Sequence, residues 1–178
     1  MKRRCFTTTA TGGVLLIAGC GFRPLYKPDA GSNAGGMMSH IFIPVLPERS
    51  GQLLRQALQQ RMDGPDSGLK RQFELTPSLA ISYESIGIQR DNSTSRIRID
   101  ASAPWLLRAL SPGRPVLIQG RGRVLDGYNI NDQQFFAAEL ESDSALRRVA
   151  STLADQIVQQ VAVYFLAQPS VQTREKPA

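Results

Sequence analysis

The clearest pattern in the chain is a strict alternation over residues 96–108. Ile97, Ile99, Ala101, Ala103, Trp105 and Leu107 fall on one side, and Arg96, Arg98, Asp100, Ser102 and Arg108 on the other. Successive side chains of a β-strand point to opposite faces, so this segment predicts a strand with one face buried. The turn sequence SPGRP at 111–115 follows, and a second alternation runs from Val116 to Leu125. Val116, Ile118, Gly120, Gly122 and Val124 share one face there, opposite Leu117, Gln119, Arg121 and Arg123. Upstream, residues 72–89 alternate through Phe73, Leu75, Leu79, Ile81 and Tyr83, which predicts a strand bent at Pro77. RDNSTS at 90–95 is turn material. The apolar run HIFIPVLP at 40–47 carries Pro44 and Pro47. Proline cannot donate to a ladder, so this first strand is expected at an edge.

Two stretches change period. In residues 49–63 Leu53, Leu54, Ala57, Leu58 and Met62 lie on one helical face, with Arg55, Gln59 and Gln60 turned away, and Gly64-Pro65 ends the helix. Residues 131–168 predict a long helical region, with a break expected near Ser142-Asp143. Its second part places Leu146, Val149, Leu153, Ile157, Val161 and Tyr164 at helical spacing, and the early acids Glu139, Glu141 and Asp143 suit a helix N-terminus. The order is β-α-β-β-β-α. One sheet with an apolar face covered by helices makes an α+β two-layer sandwich, here a four-stranded mixed sheet packed by two helices. Residues 29–39, DAGSNAGGMMS, are rich in Gly, Ser and Asn and read as a flexible tether with a root-mean-square reach of about 18 Å. The expected division is a signal at 1–19, an anchored tether at 20–39, one α+β domain at 40–168 and a tail at 169–178.

The N-terminus has the three parts of an export signal. Lys2, Arg3 and Arg4 are followed by an apolar segment closing at Val14 to Ala18, and by the small residues Ala18 and Gly19. The apolar part is far shorter than the roughly 20 residues that cross a bilayer. Ile17-Ala18-Gly19-Cys20 resembles the bacterial lipobox, with Ile in place of the usual Leu. That resemblance implies a cut before Cys20, a diacylglycerated thiol and an acylated amine. Each buried CH₂ contributes about 0.8 kcal/mol, so several acyl chains hold a protein at a membrane almost permanently. The alternative is an ordinary secretory signal with an accidental cysteine. Gly21 follows Cys20 where lipoproteins retained at the inner membrane tend to carry Asp, which points to the outer membrane.

Charge and chemistry narrow the classes. The formal charge of +6 comes from 21 basic residues against 15 acidic ones. Without Lys2, Arg3 and Arg4 the basic count falls from 21 to 18 and the charge to +3, too little to argue for nucleic acid. One histidine, His40, and two cysteines, Cys5 and Cys20, cannot build a metal or disulfide framework. His40 reads as structural, and no Ser–His or Cys–His pair is available. GRGRVLDG at 120–127 fails the Gly-x-Gly-x-x-Gly spacing, so its glycines read as packing or bulge positions. Glu139 and Glu141, two apart on a helix, do not face each other. No catalytic residue, metal ligand or cofactor is expected beyond the lipid on Cys20.

The unusual feature is arginine. Arg90, Arg96, Arg98, Arg108, Arg114, Arg121 and Arg123 fall in one segment with only Asp91 and Asp100 to oppose them. Arg96, Arg98, Arg121 and Arg123 lie on the polar faces of two strands joined by a short turn. Guanidinium groups grip phosphate in a two-pronged fashion that lysine does not match. These four are candidate contacts to the phosphates of a glycolipid such as lipopolysaccharide. The alternative is a solvated sheet face, or one that pairs with a partner's acids.

The continuation Cys20-Gly21-Phe22-Arg23-Pro24-Leu25-Tyr26 resembles the start of the mature LPS-assembly lipoprotein family (LptE, also called RlpB), one branch of which begins Cys-Gly-Phe-Arg-Pro-Leu-Tyr. The element order, the length and the long last helix with Tyr164-Phe165 at its end are similar to that branch. The resemblance implies a non-enzymatic outer-membrane lipoprotein, anchored through Cys20 and facing the periplasm. It would plug the β-barrel protein LptD and assist its assembly in the translocon that delivers lipopolysaccharide to the cell surface. Some members bind lipopolysaccharide directly. A lipoprotein serving peptidoglycan or a different envelope complex is the competing expectation.

Overall fold

The computed structural model of the chain describes residues 33–62, 70–88, 94–130 and 135–168. The expected signal, the anchor at Cys20 and the tail from residue 169 lie outside the described residues. Eight elements follow in order among the described residues: α1 (Asn33–Met38), β1 (Ile41–Phe42), α2 (Glu48–Arg61), β2 (Phe73–Pro77), β3 (Ala80–Ile88), β4 (Thr94–Ala109), β5 (Val116–Asn129) and α3 (Phe135–Ala167).

The alternation over 96–108 becomes the central strand β4. Ile99, Ala101, Ala103, Trp105 and Leu107 are buried, and Arg96 and Arg98 on the other side are exposed. One flank of β4 pairs antiparallel with β5 from Arg96↔Asn129 to Leu107↔Ile118. A register shift then sets Val116 opposite Arg108, so Val116, expected on the apolar face, is half exposed and Leu117, expected opposite, packs against the core. The other flank pairs first with β2, from Phe73↔Ala109 to Pro77↔Trp105, and then with β3, from Ala80↔Ser102 to Ser85↔Ile97. The gap between β2 and β3 is bridged by Ser78, whose N–H donates to Pro104 O at 2.8 Å. The register does not slip there, so the strand expected over 72–89 is one line of chain interrupted after Pro77. β1 joins β2 in parallel through Ile41↔Phe73 and Phe42↔Glu74. The result is the expected α+β architecture, a mixed open sheet with its helices on one face.

Four further details differ from the sequence reading. The first strand is paired only over Ile41–Phe42, because Pro44 has no N–H to continue the ladder. The segment read as tether is helical at Asn33–Met38, and Met38 is buried against the core. The interruption after Pro77 splits one expected strand into two elements. Helix α3 runs unbroken for 33 residues through Ser142-Asp143. Asp143 is held there by Arg147 one turn on, at 2.9 Å, and by Arg49 of α2, so the polar pair sits on a tied surface rather than at a break.

The core lies between the sheet and α3. One cluster joins Leu54 and Leu58 of α2, Leu75 of β2, Ile99 and Leu107 of β4, and Val149, Leu153, Ile157 and Val161 of α3. Helix α3 is buried on two stripes, because α1 and α2 also pack against it. Arg61 ties α2 to α3 through Asp155, at 2.5 and 3.1 Å, and Ser151, at 2.8 Å. Gly120 permits α3 and β5 to approach. A Cβ there would sit 2.6 Å from the Trp105 ring and 2.5 Å from Gln160 Oε1.

Candidate functional site: the uncovered face of the sheet

With every described helix on one side, the alternation leaves the other face of β3, β4 and β5 bare of any described element. That face carries the polar set of the sequence reading. Arg96, Arg98, Arg121 and Arg123 all lie on it, but not as one cluster. The register sets Arg98 opposite Gly127, and Arg123 opposite Ser102, four residues further along β4. At about 3.3 Å per residue the two pairs are roughly 13 Å apart along the strand.

Each pair sits in its own shallow depression. One, of about 310 Å³, is lined by Ala80, Ser82, Asp100, Ser102, Arg121 and Arg123. The other, of about 290 Å³, is lined by Ile86, Arg96, Arg98 and Leu125. Within each pair one arginine is tied and the other is not. Arg123 donates twice to Asp100, at 3.1 and 2.6 Å. That hydrogen bonding, helped by the charges of Arg123 and Arg98, holds the Asp100 carboxyl below the usual carboxylate range. Arg98 is paired with Glu84 of β3. The Arg96 and Arg121 side chains make no hydrogen bond or ion pair among the described residues. The face therefore offers two uncommitted guanidinium groups, each beside a pinned one. Pinning orients a planar donor fork, and freedom leaves its neighbour available to an incoming anion.

Two apolar residues of this face escape the sequence reading. Leu125 is 63% exposed and Ile86 is 45% exposed, both beside Arg96 and Arg98. Leu125 continues the odd-numbered side of β5 that carries Arg121 and Arg123, so extending that alternation by one step finds it. Ile86 sits at a register shift between Ser85 and Gly87, which no alternation announces. The depression around Arg96 is thus amphipathic, with cationic donors next to exposed aliphatic carbon.

His40 is placed away from this face. Its Nδ1 donates to Lys70 O at 2.7 Å, which ties the start of β1 to the segment before β2. Among the described residues no three His, Cys, Asp or Glu side chains gather in a group that could hold a metal. No described helix is long and apolar enough to cross a membrane.

No protein-family model matches the chain, and no curated protein matches it. Solved structures do. A Caulobacter crescentus protein described as a lipoprotein is 22% identical, with a TM-score of 0.63, over 76% of this chain and 97% of its own. Lipoprotein B from Nitrosomonas europaea is 13% identical, with a TM-score of 0.52, over 71% of this chain and 83% of its own. The rare lipoprotein B of Shewanella oneidensis, at 11% identity and a TM-score of 0.49, overlaps too loosely to count for the fold. This chain has the fold of the Caulobacter and Nitrosomonas lipoproteins.

Proposed function

We propose that the chain is an outer-membrane lipoprotein of the LPS-assembly (LptE/RlpB) type, anchored through Cys20 and facing the periplasm. It acts without catalysing a reaction, as plug and assembly partner of an LptD-type barrel in lipopolysaccharide transport. The observation that carries this reading is the uncovered sheet face, on which Arg96 and Arg121 have no partner among the described residues. The interior of an outer-membrane barrel is polar, so a plug needs a polar surface wrapped over its own core. An open sheet closed by helices on one side and bearing Arg96, Arg98, Arg121 and Arg123 on the other meets that need. The motif at Cys20 to Tyr26 and the fold shared with lipoproteins support the same reading.

Arg96 and Arg121 are the residues of choice for lipopolysaccharide phosphates, with Arg98 and Arg123 held in place beside them. Ile86 and Leu125 give the acyl region of such a ligand apolar carbon to lie on. The test is isolation of the full lipidated chain from outer membranes, with quantitative mass spectrometry of what accompanies it. One large barrel protein in equal amount supports the reading. Its absence removes it and leaves a lipoprotein serving peptidoglycan or another envelope complex.

A further inference from the structure

The two long edges of the sheet are treated differently. The odd-numbered residues of β5 turn their backbone polar groups away from β4, and α3 meets several of them. Gln156 accepts from Arg123 N–H at 3.0 Å and donates to Arg123 O at 3.2 Å. Gln160 donates to Arg121 O at 3.3 Å, and Arg148 to Gly127 O at 3.4 Å. The Gln156 amide thereby imitates one residue of a neighbouring strand. An edge closed in this way cannot template another chain.

The opposite edge is β3, and the same phase fixes which of its groups point outward. Even-numbered residues of β5 bond to odd-numbered residues of β4, so the even-numbered residues of β4 face β3. The bond from Ser78 N–H to Pro104 O agrees with that phase. Ile81, Tyr83 and Ser85 therefore turn N–H and C=O away from the sheet, and among the described residues nothing meets them. The chain from Ser82 to Ile86 is exposed on both faces, so neither face blocks an approach.

We infer that β3 is a strand-acceptor edge, taking an extended segment of a partner protein whose side chains alternate apolar with acidic or hydroxyl-bearing. Main-chain hydrogen bonds give such an addition its affinity, and the flanking side chains give it selectivity. On the helix side Ile81 and Tyr83, the latter 54% exposed, offer an apolar shelf. On the uncovered side Glu84 of β3 is matched by Arg98, and the charge left over is that of Arg96. Arg96 lies opposite Gly87, which has no side chain to screen it from a strand laid beyond β3. A segment with an acid at that position meets a guanidinium that has no partner among the described residues. A second copy of this chain would bring one arginine face to another, which like charge disfavours. The inference rests on backbone phase and exposure, and stands whether or not the partner is a barrel.

The probe is a synthetic peptide of nine residues, the length of β3, alternating valine with aspartate and threonine. It is titrated into the full chain in detergent micelles, with hydrogen exchange read residue by residue. Amide exchange at Ile81, Tyr83 and Ser85 is expected to slow about tenfold or more, with β5 unchanged. The same peptide N-methylated at alternate amides should give no protection. Tyr83→Pro removes one outward donor and no bond to β4, and should weaken the effect. Gln156→Leu uncovers the β5 edge and should add a second protected site at Arg123. The inference is overturned if the three amides stay unprotected at saturating peptide, if the N-methylated peptide protects equally, or if protection follows protein concentration and reports a second copy.

Discussion

The two faces of strand β4 are made from one stretch of chain and do different work. Ile99, Ala101, Ala103, Trp105 and Leu107 look toward α3 and are all but sealed from water. Arg96, Arg98, Asp100 and Ser102, each one residue away, look toward solvent. On the covered side the energy lies in apolar burial and close fit, which are unforgiving of a lost methyl or an added one. On the uncovered side the ion pairs Arg98–Glu84 and Arg123–Asp100 stand in water, where each contributes little to stability. Stability is thus concentrated on one face, and the other contributes little to it.

The contrast is broken most sharply at neighbouring positions. Ile99→Ala is expected to cost about 2–5 kcal/mol, because it opens a cavity at a fully buried site. Arg98→Ala, one residue before it, should cost under about 1 kcal/mol. Urea unfolding monitored by Trp105 fluorescence measures both. Equal losses would mean that the uncovered face supports the fold as much as the core does.

A middle effect is expected where the covered face is tightest. Gly120→Val drives a side chain into the Trp105 ring and toward Gln160. Overpacking of this kind costs about 1–3 kcal/mol. It should also displace Gln160 from Arg121 O and speed hydrogen exchange along the β5 edge. A neutral result would mean that α3 can slide off β5 without loss.

How much of this was legible in the sequence follows the same division. The alternation of β4, and of β5 from Ile118 on, carried its own phase, so the core residues of β4 and the shared face of Arg96, Arg98, Arg121 and Arg123 could be read directly, whereas the register shift at Leu117 that exposes Val116 could not. Leu54 and Leu58 of α2, and Val149 to Val161 of α3, announced themselves by helical spacing. What could not be read was anything set by register between strands. Only the pairing separates the arginines into two groups and gives Glu84 to Arg98 and Asp100 to Arg123. Composition misled at Asn33–Met38, where glycine and asparagine suggested a tether but Met38 has a core to bury against. The Ser142-Asp143 pair looked like a break until Arg49 and Arg147 supplied its partners, one of them from a distant segment of chain.

The smallest expected effect compares one aspartate on each face. Asp126 lies on the covered side, at the rim, where Arg148 bonds it at 3.0 and 3.3 Å. Partial burial pushes its pKa up, but the Arg148 and Gly127 hydrogen bonds and the Arg148 charge outweigh that and hold it below the ordinary value. Asp100 is held low on the uncovered side by Arg123. A carboxylate whose pKa is lowered by folding stabilises the fold above its unfolded pKa of about 3.9, and that stabilisation fades as pH falls through the lower folded value. Stability measured from pH 7 downward should therefore drop on the acid side of about pH 4. Asp126→Asn should flatten that acid limb and cost under about 1 kcal/mol near neutrality. Asp100→Asn should flatten it less, since its side chain is 34% exposed against 23% for Asp126, and water screens the pair. If Asp100→Asn had the larger effect, the bare face would be more closed to water than its exposure indicates. The depression beside Arg121 would then be a pocket rather than an open surface.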